Sequence, residues 1–143
     1  MGIEIICQLF LATFLGALIG LEREIKRKEA GLQTYSLVAL GTCLFTLISL
    51  ELFNSFLGKT GASLDLLRII QAIAIGIGFI GAGVIFRQSS GVIGLTTAAG
   101  LWATAAIGIA VGVKLYFLAI FTTFLSLFIL AGFGLLEEKI LKK

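Results

Sequence analysis

Five apolar stretches divide this chain, at residues 3–21, 35–53, 68–86, 95–113 and 115–136, separated by short polar links. Each is close to the roughly 20 residues that a helix needs to cross a bilayer. In hydrocarbon the backbone must satisfy its own N–H and C=O groups, so spans of this kind are helices. The expected fold is therefore all-α: a polytopic membrane helix bundle of about five transmembrane helices. It forms a single domain over residues 1–143, with no soluble C-terminal domain. Composition agrees, because 59% of the 143 residues are hydrophobic and 13% are charged, where a soluble domain carries about 25% charge. The first stretch lacks a basic leader and a small-residue cleavage pattern, so it reads as a span and not as a secretory signal.

Orientation follows from Lys and Arg placement. With five spans, Arg23, Lys26, Arg27, Lys28, Arg87, Lys139, Lys142 and Lys143 share one side, and Lys59, Arg68 and Lys114 the other. The expectation is an outside N-terminus and a cytoplasmic C-terminus.

Small residues indicate how the helices meet. Ala12, Gly16 and Gly20 recur every four residues and form a helix-packing face. Ala74, Gly78 and Ala82 form a second such stripe, while Gly76 and Gly83 lie on another side of the same span. Small residues on several faces suit helices gripped from more than one direction. The third and fourth spans are therefore expected at the centre, with a surplus face available to a homo-oligomer. Phe117, Phe121, Phe124 and Phe128 place the fifth span against lipid. Cys7 and Cys43 both fall in apolar runs and read as small buried residues, not as a disulfide or metal pair.

The absence of His argues against zinc and haem. No nucleophile has a base at helical spacing, so neither an enzyme nor a cofactor is expected, and a net charge of +3 is too small to suggest nucleic acid. Ionisable groups inside a bilayer are costly and point to function; here they gather near its surfaces. Asp65 and Arg68, three apart, suit a helix-start cap and ion pair. Alternatively, Asp65, Glu51 and Glu4 form an acidic outer mouth attracting hydrated Mg²⁺, as substrate or effector. Deeper groups are neutral: Thr42, Thr46, Gln71, Thr96, Thr97, Thr104 and Trp102. The threonines are expected to bond their own helix carbonyls. Mid-span Trp102 is expected to find an acceptor on a neighbouring helix. The charged run from Glu22 to Glu29 can pair Glu22 with Lys26 and Glu24 with Lys28. It reads as an orientation signal, or as a surface for anionic lipid headgroups or an acidic partner.

Four motifs carry a family resemblance. They are Leu15-Gly16-Ala17-Leu18-Ile19-Gly20-Leu21-Glu22-Arg23-Glu24; Ala30-Gly31-Leu32-Gln33-Thr34 with Leu40-Gly41-Thr42-Cys43-Leu44-Phe45-Thr46; the glycine run from Gly76 to Phe86; and the segment from Gly94 to Trp102. In this order the chain resembles the MgtC/SapB family of bacterial inner-membrane proteins. The resemblance implies a hydrophobic domain of about five helices, linked with magnesium homeostasis and growth in low magnesium. It also allows a membrane partner such as the ATP synthase. Candidate motif, partner or ligand residues are Arg23, Gln33, Thr34, Arg68, Arg87, Thr96, Thr97 and Trp102. The family usually has Arg where this chain has Gln33, and a basic residue where it has Ile93. Many members also carry a soluble domain after the helices.

Two functions follow as expectations. One is regulation within magnesium homeostasis through a membrane partner, using small-residue faces and the cytoplasmic basic segment. The other is passage of Mg²⁺ through the bundle or an oligomer. The connection from Arg87 to Gly94 is the main functional feature expected on the cytoplasmic side.

Overall fold

The computed structural model describes residues 2–56, 66–89, 91–136 and 139. Five helices, α1 (Gly2–Ile25), α2 (Leu32–Phe56), α3 (Leu66–Gly83), α4 (Leu95–Gly112) and α5 (Tyr116–Leu127), form a nearly all-α bundle. Gly2–Ile25, Leu32–Phe56, Leu95–Gly112 and Tyr116–Leu136 are long and apolar enough to cross a membrane, and α3 is a shorter apolar helix. Beyond α5 the helix widens into a π-helical segment, Phe128–Phe133, and ends in the turn Gly134–Leu136.

The connection between α3 and α4 is an antiparallel hairpin. Its strands β1 (Phe86–Gln88) and β2 (Gly91–Ile93) pair Phe86 with Ile93 and Arg87 with Val92. Gly94 ends the hairpin at φ 86°, and a Cβ there would run into the Val84 carbonyl, so only glycine fits.

The core is built by α1, α2 and α4, with α2 clamped between two glycine faces. On the α1 side, a Cβ on Gly16 would lie 2.6 Å from the Tyr35 carbonyl oxygen, and one on Gly20 would lie 2.8 Å from Leu32 Cα. On the α4 side, a Cβ on Gly108 would lie 2.5 Å from the Ala39 carbonyl oxygen, and one on Gly112 would lie 2.7 Å from Thr46 Cβ. Close approach of this kind replaces the hydrophobic drive that lipid cannot supply. Tyr35, Ile19, Leu101 and Ile107 are fully buried around it.

Helix α4 is central, touching all four other helices, whereas α3, expected beside it at the centre, is peripheral and packs chiefly on α4. Its inward seam is Ile73, Ile77 and Gly81. Bulky isoleucines bury more apolar area than the small stripe, so Ala74 is only half-buried and Gly78 and Ala82 face outward. The α5 phenylalanines are exposed as expected. Cys43 is buried, but Cys7 is exposed on the outer side of α1.

Apart from Arg23 near the end of α1 and Thr97 at the start of α4, the buried polar side chains in the spans bond to backbone. Thr42, Thr46, Thr104 and Thr123 donate to carbonyls one turn back on their own helices. Gln8 of α1 crosses to α4, donating to the carbonyls of Val111 (2.8 Å) and Gly112 (3.2 Å), which end that helix. Gln8→Leu should therefore lower stability in detergent by about 1 kcal/mol, an interhelical value within the range for membrane bundles. A thermal melt unchanged from wild type would show that this bond contributes nothing.

Candidate functional site

The site grows from the way α1 stops. Arg27 adopts φ 51°, Lys28 N–H donates to the Arg23 carbonyl and Arg27 N–H to that of Glu24, both at 3.0 Å. This left-handed closure reverses the chain just past the bundle. Glu24 then caps the next helix, its carboxylate accepting from Leu32 N–H at 3.0 Å, so the expected Glu24–Lys28 pair does not form. Glu22 does pair with Lys26, at 2.8 Å. It also takes both arms of a forked contact from Arg23, Nε at 2.5 Å and Nη2 at 2.9 Å. Arg23, although part of the charged run, is 2% exposed.

The same reversal carries Glu29 back to α4, where its carboxylate accepts from the Thr97 hydroxyl at 2.5 Å. That bond is the main reason why the Glu29 carboxyl sits below its ordinary pKa. Tyr35 donates its hydroxyl to the Thr97 carbonyl at 3.1 Å, so Thr97 is held from both the link and α2. Lys26 reaches the opposite way and donates to the Leu130 carbonyl of the π segment at 3.0 Å.

These contacts frame a recess of about 550 Å³. Arg23, Lys26, Lys28 and Glu29 form its charged side, residues 92–97 its floor, and Ile129, Leu130, Phe133 and Gly134 its far wall. Three cations face one carboxylate. The N-terminus of α4 opens here under Gly94 with no side-chain cap, which adds the positive end of a helix dipole.

Of the candidate residues, the recess gathers Arg23, Thr96 and Thr97. Gln33 and Arg87 are exposed outside its lining, and Thr34 is half-buried. Trp102, expected to bond inside the bundle, is 57% exposed and faces outward. Arg68 lies exposed near the start of α3. At the opposite end of the bundle Glu4 pairs with Lys114 at 2.7 Å, a bond that raises the lysine's pKa, and Glu51 is exposed at the end of α2. Asp65 lies outside the described residues. Among the described residues no three carboxylates, cysteines or histidines come together to hold a metal ion. Gly16 and Gly20 are buried in the α1–α2 contact.

Sequence reasoning missed Glu29, Tyr35 and Gln8 as contacts. Glu29 and Thr97 are 68 positions apart, and no local spacing connects them.

The MgtC family model matches residues 9–139. YhiD of Escherichia coli K12, named as a candidate magnesium transporter, is 38% identical over 143 residues, all of this chain and 66% of YhiD. SapB of Bacillus subtilis is 43% identical over 114 residues, 79% of this chain and 49% of SapB. MgtC of Salmonella typhimurium LT2 is 45% identical over 107 residues, 75% of this chain and 42% of MgtC. The chain thus spans between 42% and 66% of the length of these relatives. No solved structure matches it. A family match running from within α1 past the π segment covers nearly all of the described bundle, and the chain belongs to the MgtC family of membrane proteins.

Proposed function

We propose that this protein acts in magnesium homeostasis by regulation, engaging a partner complex in the bacterial inner membrane instead of conducting Mg²⁺ itself. The observation behind this reading is the close-packed interior between α1, α2 and α4. Its deep polar groups, Gln8, Thr42, Thr46 and Thr104, are each committed to a backbone carbonyl. A hydrated dication needs oxygen ligands in octahedral array and holds its waters tightly. A file of satisfied hydroxyls between Ile, Leu and Val offers it neither. The partner would grip the outward small-residue face of α3, at Gly78 and Ala82, and the basic end of α1. The ATP synthase is one complex that the family resemblance allows.

Transport through a homo-oligomer is the second reading, favoured by the name of the YhiD relative. Liposomes containing the purified chain and an entrapped Mg²⁺ indicator separate the two. The regulatory reading expects influx equal to that of empty liposomes, and recovery of a stoichiometric partner from native membranes. Influx well above that background, lost in Asp65→Asn, would replace it with transport.

A further inference from the structure

We propose that the recess between the α1–α2 link, the start of α4 and the π segment binds a phosphate ester carried on an apolar body. An anionic phospholipid or a soluble phosphate ester could supply that chemistry, and the inference stands independently of the regulatory reading. The first support is Arg23. Its side chain is 3% exposed yet lines the cavity. It commits Nε and Nη2 to Glu22, and among the described residues its Nη1 has no hydrogen-bond partner. A guanidinium has five donors, so this one keeps unused capacity at the cavity wall. The second support is the charge balance: Glu22, outside the lining, offsets part of the charge of Arg23 and Lys26, and with Lys28 the three cations still outnumber Glu22 and Glu29. The uncapped first turn of α4 points the same way, since backbone N–H groups and the dipole favour an anion there.

Volume and walls narrow the ligand class. About 550 Å³ is far more than one phosphoryl group fills, and Ile129, Leu130 and Phe133 make the far wall apolar. The occupant therefore combines a negative phosphate with a hydrophobic portion, and a cation surplus excludes a bare divalent metal ion as the preferred guest. Glu29 opposes the ligand by charge, which gives the proposal a sign that can be checked.

The test uses the full chain in neutral detergent. Lipid adducts with phosphatidylglycerol or phosphatidylcholine are counted by native mass spectrometry, and equilibrium dialysis follows labelled AMP and inorganic phosphate. Retention of phosphatidylglycerol should exceed that of phosphatidylcholine about thirtyfold, as expected for two lysines near an anionic headgroup. Lys26→Gln with Lys28→Gln should remove the preference. The glutamines keep an amide donor for the Leu130 carbonyl, and circular dichroism checks that helix content is unchanged. Glu29→Gln should increase retention several-fold, since its amide oxygen can still accept from Thr97. Arg27→Gln, which removes an exposed cation from the same link but outside the cavity lining, should change nothing. If AMP is retained above inorganic phosphate with this variant pattern but no lipid preference appears, the source is soluble; inorganic phosphate retained as well as AMP overturns the apolar body. The proposal is overturned if neither lipid nor soluble phosphate is selected, or if Arg27→Gln weakens binding as much as the lysine variants.

Discussion

Valine at Gly16 or at Gly108 is expected to sharply lower the melting temperature and the yield of monodisperse protein, while valine at Gly78, inside the most conspicuous glycine run, leaves both unchanged. At Gly16 the first added carbon already falls 2.6 Å from the Tyr35 carbonyl oxygen and 2.7 Å from Ala39 Cβ. At Gly108 it falls 2.5 Å from the Ala39 carbonyl oxygen and against the Thr42 hydroxyl. Carbon contacts are comfortable only near 3.5 to 4.0 Å, so about 1 Å of separation would be needed. The obstacles are mostly backbone of α2 and cannot rotate aside; the helices would have to part. Overpacking of this kind costs about 3 kcal/mol per site, a large share of an ordinary stability. Around Gly78 no atom lies within 4 Å of the added carbon. Size-exclusion chromatography and thermal melts in detergent give the comparison. A Gly16→Val protein that eluted and melted like wild type would contradict the clamp around α2.

The second large effect belongs to Arg23. Arg23→Met should destabilise the bundle by about 3 kcal/mol, the lower end of what removing one member of a buried ion pair costs. The lower end applies because Glu22, with its side chain 14% exposed, keeps Lys26 at 2.8 Å when the guanidinium is gone. Adding Glu22→Gln should restore part of the loss, and the double-mutant cycle should return a coupling of about 1 kcal/mol or more. Arg23→Lys should not rescue, since one ammonium cannot supply the fork that Nε and Nη2 present to the two Glu22 oxygens. A melt of Arg23→Met indistinguishable from wild type would mean that the pair contributes orientation and not stability.

The helices themselves were legible because apolar length is a one-dimensional property. The five stretches match α1 to α4 and the span from α5 through the π segment to Leu136, with ends displaced by a few residues. The Gly16 and Gly20 face was legible for the same reason, since a four-residue repeat fixes one side of one helix. What the repeat does not fix is which of several faces meets a neighbour. On α3 the isoleucine seam competes with the Ala74, Gly78 and Ala82 stripe, and burial of larger apolar area decides against the small residues. Trp102 illustrates the same limit. Its depth along α4 was readable, but its direction depends on where α1, α2 and α5 stand around that helix. At the recess, Arg23, Thr96 and Thr97 lay inside recognisable motifs. The acid that contacts Thr97 comes from a link whose reversal depends on a left-handed Arg27, and nothing about an arginine announces that conformation.

The marginal seat of α3 has an energetic consequence. Its buried positions Ile73, Ile77 and Gly81 fall four apart, a single narrow line of attachment. The α1–α2–α4 unit is interlocked at four glycines instead. Opening free energy is therefore uneven across the molecule. Detaching α3 is softer than parting the α1–α2–α4 clamp, and amide exchange in α3 should precede exchange in the clamp.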